Sequence, residues 1–179
     1  MNTRSLTTVS TVLVVLVSAA NLQAQTTWYV DASAAAPGNG TVANPYTSIQ
    51  YAVQQSMTVS GDRILVAPGT YTENVDYQFK VLTVESSAGP LATRIAGYVQ
   101  LGDDVPHSSS RLVGFRVDSV ALFGASLEQC ILLATPTTLG AAVFFSDLAR
   151  IDHCTVVGYS WGTCRAIRAC GTSRRATFI

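Results

Sequence analysis

Short apolar runs, each stopped by glycine, proline or small polar residues, set the pattern of this chain. The clearest lies between Gly61 and Val75. Arg63-Ile64-Leu65-Val66 has the aliphatic and β-branched bias of a strand, with Ile64 and Val66 on one face by the period-two rule. Pro68 offers no N–H to a sheet and Gly69 tolerates positive φ, so the strand must end and the chain must turn. Positive φ is therefore expected at Gly69. A second extended piece, Tyr71 to Val75, follows at once. Further short β-prone runs occur at Trp28–Asp31, Leu82–Val84, Tyr98–Leu101, Leu112–Val117, Val120–Phe123, Cys130–Leu133, Val143–Phe145 and Cys154–Val157. Turn-forming residues separate them at Ser86–Pro90, Gly102–Ser110 and Thr135–Gly140.

One helix stands out, over Thr47–Gln55. Thr47 and Gln50 have the spacing of a capping box, and Gly61 lies beyond the end. Ile49, Ala52 and Val53 fall on one face, so the helix is predicted to lie as a lid over the open end of a β core.

The strands repeat. Leu127, Cys130 and Leu132 are answered by Ile151, Cys154 and Val156 at an offset of 24, and Ala121-Leu122-Phe123 by Val143-Phe144-Phe145. A period in the twenties built from short strands predicts a β-solenoid. The preceding step, Phe115 to Cys130, is 15 residues and departs from that period. An antiparallel sandwich is the rival fold, but the only Asn-Gly hairpin signal, Asn39-Gly40, lies in an early loop.

Tyr29-Val30-Asp31, the Gly40-Thr41 loop, Pro45 to Ala52, and Gly61-Asp62 through Glu73-Asn74 resemble the amino-terminal region of secreted proteins of the pectin lyase-like superfamily. The resemblance implies an all-β, right-handed parallel β-helix with a short amino-terminal capping helix. That superfamily spans polysaccharide lyases, glycoside hydrolases, epimerases and adhesins, so the resemblance speaks to fold and not to one activity.

Composition narrows the setting. Arg4, the apolar stretch Val9–Ala20 and the small residues up to Ala24 read as an export signal over 1–24, too short for the ~20 residues that span a bilayer. Residues 25–162 then form the β-helix domain, with its cap over 28–60. Residues 163–179, rich in arginine, read as an atypical tail from a truncated or shifted frame, leaving an open end for self-association. Only 12% of residues are charged, against ~25% in an average domain, and the net charge is zero. Nucleic acid is excluded as a partner on charge, and the mature chain carries no stretch that reads as a transmembrane span. The expected location is extracellular or at the cell surface.

Candidate chemistry is sparse. Asp103, Asp104 and His107 share a polar loop, where carboxylates can bind calcium or act as acid and base on a sugar. Asp147, Asp152 and His153 surround a corner beside Arg150, a mixture suited to an anionic sugar or to a plain ion pair. Lys80, the only lysine, is the sole candidate for a lysine base. Cys130 and Cys154 occupy equivalent repeat positions and read as buried thiols, close enough in principle for a disulfide. Cys164 and Cys170 lack the company of a metal site, and no cofactor is implied. The sequence thus predicts a module that binds or presents to extracellular polysaccharide, its catalysis undetermined. A lyase or hydrolase and a purely structural surface protein are the alternatives.

Overall fold

The structure, a computed structural model, describes residues 25–102, 109–134, 143–145, 149–158 and 174–178. The chain opens with β1 (Thr27–Val30) and α1 (Ile49–Gln54). Strands β2 (Arg63–Val66), β3 (Gly69–Tyr71) and β4 (Val75–Asp76) follow, then β5 (Thr83–Ser86) and β6 (Thr93–Leu101). Next come β7 (Arg111–Val113), β8 (Arg116–Leu122), β9 (Ser126–Glu128), β10 (Ile131–Ala134) and β11 (Val143–Phe145). The long β12 (Arg150–Gly158) and β13 (Arg174–Phe178) complete the described chain.

Every named strand pairs in parallel, and the pairing winds the chain into a β-solenoid. One ribbon runs β1-β2-β5-β7-β9-β12 and a second runs β3-β6-β8-β10-β12. Because side chains alternate along a strand, each ribbon sends alternate columns inward and leaves those between them outside. Ile64, Val84, Leu112 and Leu127 stack in register down the first ribbon, and Tyr71, Ile95, Val117 and Leu132 down the second; all are buried. Burying each aliphatic side chain is worth about 1.5–3 kcal/mol, so these columns hold the coil together. Ile64 and Val66 point inward as the alternation predicted.

The 24-residue repeat is real: Leu127 pairs with Ile151 and Leu132 with Val156. The step that looked out of period is also a full turn, since Arg111 pairs with Ser126 and Arg116 with Ile131. Residues 111–125 are the shortest turn, and longer turns carry extra residues at their corners. Between Leu132 and Val143, for example, the register with β8 jumps from Val117 to Val120. A parallel ladder constrains the strands alone, so corners accept loops of any length. One match is shifted: Val143 pairs with Val120, and Phe144, not Val143, sits opposite Ala121.

The tightest corners share one device. Gly114, Gln129 and His153 have φ of 76°, 52° and 53°, and each precedes an inward residue: Phe115, Cys130 or Cys154. A single left-handed residue swings the chain between ribbons without a loop. The Phe115 N–H donates to Cys130 Sγ at 3.4 Å, and the Cys130 N–H to Cys154 Sγ at 3.4 Å. Each thiol in turn reaches a carbonyl two residues back, Glu128 at 3.1 Å and Asp152 at 3.3 Å. Both cysteines are free, and burial pushes the Cys130 thiol well above its ordinary pKa. They satisfy buried backbone groups that the corner takes out of the ladder.

At the amino-terminal end, α1 buries Ile49, Ala52 and Val53 completely, the lid that the apolar pattern predicted. Its cap differs from the predicted box. Ser48 is the N-cap and accepts from the Tyr51 N–H at 3.0 Å. The reciprocal acid comes from the first turn of the coil: Glu73 accepts from Ser48 Oγ and from the N–H groups of Ile49 and Gln50, at 2.6–3.0 Å. A carboxylate reaching in from another element outcompetes the local glutamine because it carries charge to the helix N-terminus. Gln50 instead pairs with the backbone of Asp76. The free edge of β1 is closed by the loop before the helix, through Tyr29 N–H to Gly40 O, Tyr46 N–H to Tyr29 O and Asp31 N–H to Tyr46 O. Asp62 locks this cap to the coil, accepting from Thr26 N, Trp28 Nε1 and Val59 N at 2.9–3.0 Å. At the other end β13 continues the ladder beyond β12, a strand that the arginine-rich sequence did not suggest.

Candidate functional surface

With the interior filled by apolar columns, polar chemistry is left to the outward positions and the corners. Thr27, Arg63, Thr83, Arg111, Ser126 and Arg150 stand in register on the outer face of the first ribbon. Beside them run Tyr29, Leu65, Glu85, Val113, Glu128 and Asp152. Parallel strands repeat about every 4.8 Å, so this face offers hydrogen-bonding groups at a constant rise along the coil.

The two rows are cross-linked by ion pairs. Arg63 bonds Glu85 at 2.8 Å, and Arg111 grips Glu128 through Nε at 3.0 Å and Nη2 at 2.5 Å. The second ribbon repeats the arrangement with Arg94 and Asp118, at 2.9–3.3 Å through three hydrogen bonds. In each pair the acid lies one turn later and two residues further along its strand. The sequence separations are 22, 17 and 24 residues, unequal because the turns are unequal. That irregularity hid the ladder from a search for a fixed period. Glu128 raises the Arg111 pKa above the ordinary arginine value, chiefly by hydrogen bonding. Exposed pairs of this kind contribute roughly 0–1 kcal/mol each, so they order the surface more than they stabilise it.

The predicted candidates meet different fates. Asp103, Asp104, His107 and Asp147, with Cys164 and Cys170, lie outside the described residues. In the sequence the first three fall between β6 and β7. Asp152 and Arg150 both face outward on β12, and Asp152 Oδ1 lies 3.1 Å from His153 Nδ1. His153 owes its place to the corner, where it holds the left-handed conformation. Lys80 is engaged elsewhere: its Nζ donates to the carbonyls of Val53 and Gln55 and closes the carboxyl end of α1. It is a helix cap and not a free base. Among the described residues no group of three or more His, Cys, Asp or Glu gathers as a metal site, and no helix is long and apolar enough to cross a membrane.

No family model matches the chain, and comparison with curated proteins and with solved structures likewise returns no match.

Proposed function

We propose that this coil is an extracellular binding module of the pectin lyase-like kind, which holds an extended polysaccharide along the outer face of its first ribbon. The observation that carries the reading is the in-register double row headed by Thr27 and Tyr29, with Arg63, Glu85, Arg111 and Glu128 at its centre. A linear polymer presents the same hydroxyl groups again and again, and a surface with the same donors and acceptors at constant rise meets it with many weak, repeated contacts. Guanidinium groups that donate to a sugar hydroxyl, and carboxylates that accept from one, lose little freedom when their ion pairs already fix them. Cleavage needs more, namely a pair of converging carboxylates or calcium with a base. We assign that role, if the polymer is cut, to Asp103, Asp104 and His107, which follow β6 in the sequence.

Affinity electrophoresis through gels containing a panel of neutral and acidic polysaccharides tests the proposal. Retardation by at least one polymer, lost in Arg111→Ala and Glu85→Ala variants that keep the wild-type circular dichroism, supports it. Unchanged mobility in every gel removes it.

A further inference from the structure

The ion-pair ladder follows a rule, and Arg116 is a telling exception to it. An arginine at an outward strand position takes the acid two residues beyond its register partner on the next turn. Arg63 registers with Thr83 and takes Glu85; Arg111 registers with Ser126 and takes Glu128; Arg94 registers with Arg116 and takes Asp118. Arg116 registers with Ile131, so the place of its acid is Leu133. Leucine cannot supply the charge.

Among the described residues no neighbour fills the gap. Asp118, two residues along on the same strand face, is spent on Arg94: Oδ1 takes Nε and Nη2, and Oδ2 takes Nη2 again. Arg94 itself lies beside Arg116 in register, a second cation. Arg116 Nε is sealed from solvent and has no hydrogen-bond partner among the described residues. The residue as a whole is only partly buried and Nε alone of its nitrogens is sealed without a partner, so an ion from outside meets the Nη end of the guanidinium. Two guanidinium groups thus stand side by side on the outer face of the second ribbon with one carboxylate, which bonds Arg94 alone. A charged group left with no acceptor of its own is unusual enough to require a cause.

We propose that Arg116, supported by Arg94, is a binding site for an oxyanion group, a carboxylate or a sulfate, which stands where the ladder elsewhere places Glu or Asp. The guanidinium is suited to both, since its planar fork grips two oxygens at once. This site lies on the second ribbon and does not depend on polymer binding by the first.

The experiment is a titration of the folded, ¹⁵N-labelled protein followed at the Arg116 Nε–Hε resonance. Sodium glucuronate and sodium sulfate are the two probes, with sodium chloride at matched ionic strength and glucose as controls. A saturable shift with glucuronate alone assigns a carboxylate, with sulfate alone a sulfate, and with both a general oxyanion site; each supports the proposal. The Leu133→Glu variant, which restores the missing acid at an outward position, should weaken the response at least about tenfold, the scale of one charge-assisted contact. Responses to both probes no larger than those to chloride overturn the proposal. So does a Leu133→Glu protein, folded by circular dichroism, that titrates like the wild type.

Discussion

Single residues decide where this coil turns. Gln129 and His153 hold left-handed backbone at positions where the earlier turn uses Gly114. For a residue with a Cβ that conformation costs about 1–2 kcal/mol, offset here by the buried column that each corner sets up. Gln129 is exposed, so its side chain has little to lose. Gln129→Gly should therefore raise stability by about 0.5–1 kcal/mol, read from the denaturant midpoint. An unchanged or lower midpoint would remove backbone strain from the account of that corner. Gly69 presents the reverse case. It has φ of 154°, and an added Cβ would meet only the Tyr71 ring at 3.8 Å. Gly69→Val should cost more than about 1 kcal/mol through backbone conformation alone, with no clash to relieve. The turn at Gly69 was readable from Pro-Gly in the sequence. The corners at Gln129 and His153 were not, because neither residue type announces positive φ.

At the scale of elements, the lid is fastened by side chains from the coil it covers. Glu73 satisfies two N–H groups at the start of α1 and the hydroxyl of its cap, while Lys80 holds the carbonyls at its end. A six-residue helix is far below the length that is stable alone, so these contacts and the burial of Ile49, Ala52 and Val53 are what make it helical. Glu73→Gln keeps the shape and removes the charge. It should cost about 1–3 kcal/mol, and hydrogen exchange should show α1 losing protection before β2 and β5 do. Equal protection loss across all three would mean that cap and coil unfold as one unit. The helix and its buried face were legible from the spacing of Ile49, Ala52 and Val53. The capping acid was not, since Glu73 lies 24 residues from Ile49 and nothing local links the two.

For the whole molecule, the interior also fixes how stability depends on pH. Tyr77 is fully buried, its hydroxyl donating to the Arg111 carbonyl at 3.0 Å, and Tyr71 donates to the Ala67 carbonyl at 3.0 Å. Burial raises both, Tyr71 to about 12 and Tyr77 well above its ordinary value. The folded state thus keeps protons that the unfolded chain gives up near pH 10. Their contribution is complete below pH 10 and is lost as pH rises through 10 towards 12, with a slope of up to about 1.4 kcal/mol per pH unit for each tyrosine. Denaturant midpoints should fall steeply over that window, with the last of the tyrosinate absorbance appearing only as the protein unfolds. Midpoints that stay flat to pH 11.5 would contradict the buried placement of these hydroxyls.

The claim on which the rest depends is the parallel winding itself, above all the 15-residue turn that puts Phe115, Cys130 and Cys154 in one column. The sequence disclosed the 24-residue repeat but not this turn, because a corner of one left-handed residue leaves no loop to recognise. Scalar couplings transmitted through hydrogen bonds test it directly in solution. The parallel coil predicts couplings from Ser126 N to the Ser110 carbonyl, Ile131 N to Phe115, Arg150 N to Ala125 and Thr155 N to Cys130, each running from one turn back to the turn before. Reciprocal couplings, in which two residues exchange both N–H and C=O as antiparallel neighbours do, would contradict it.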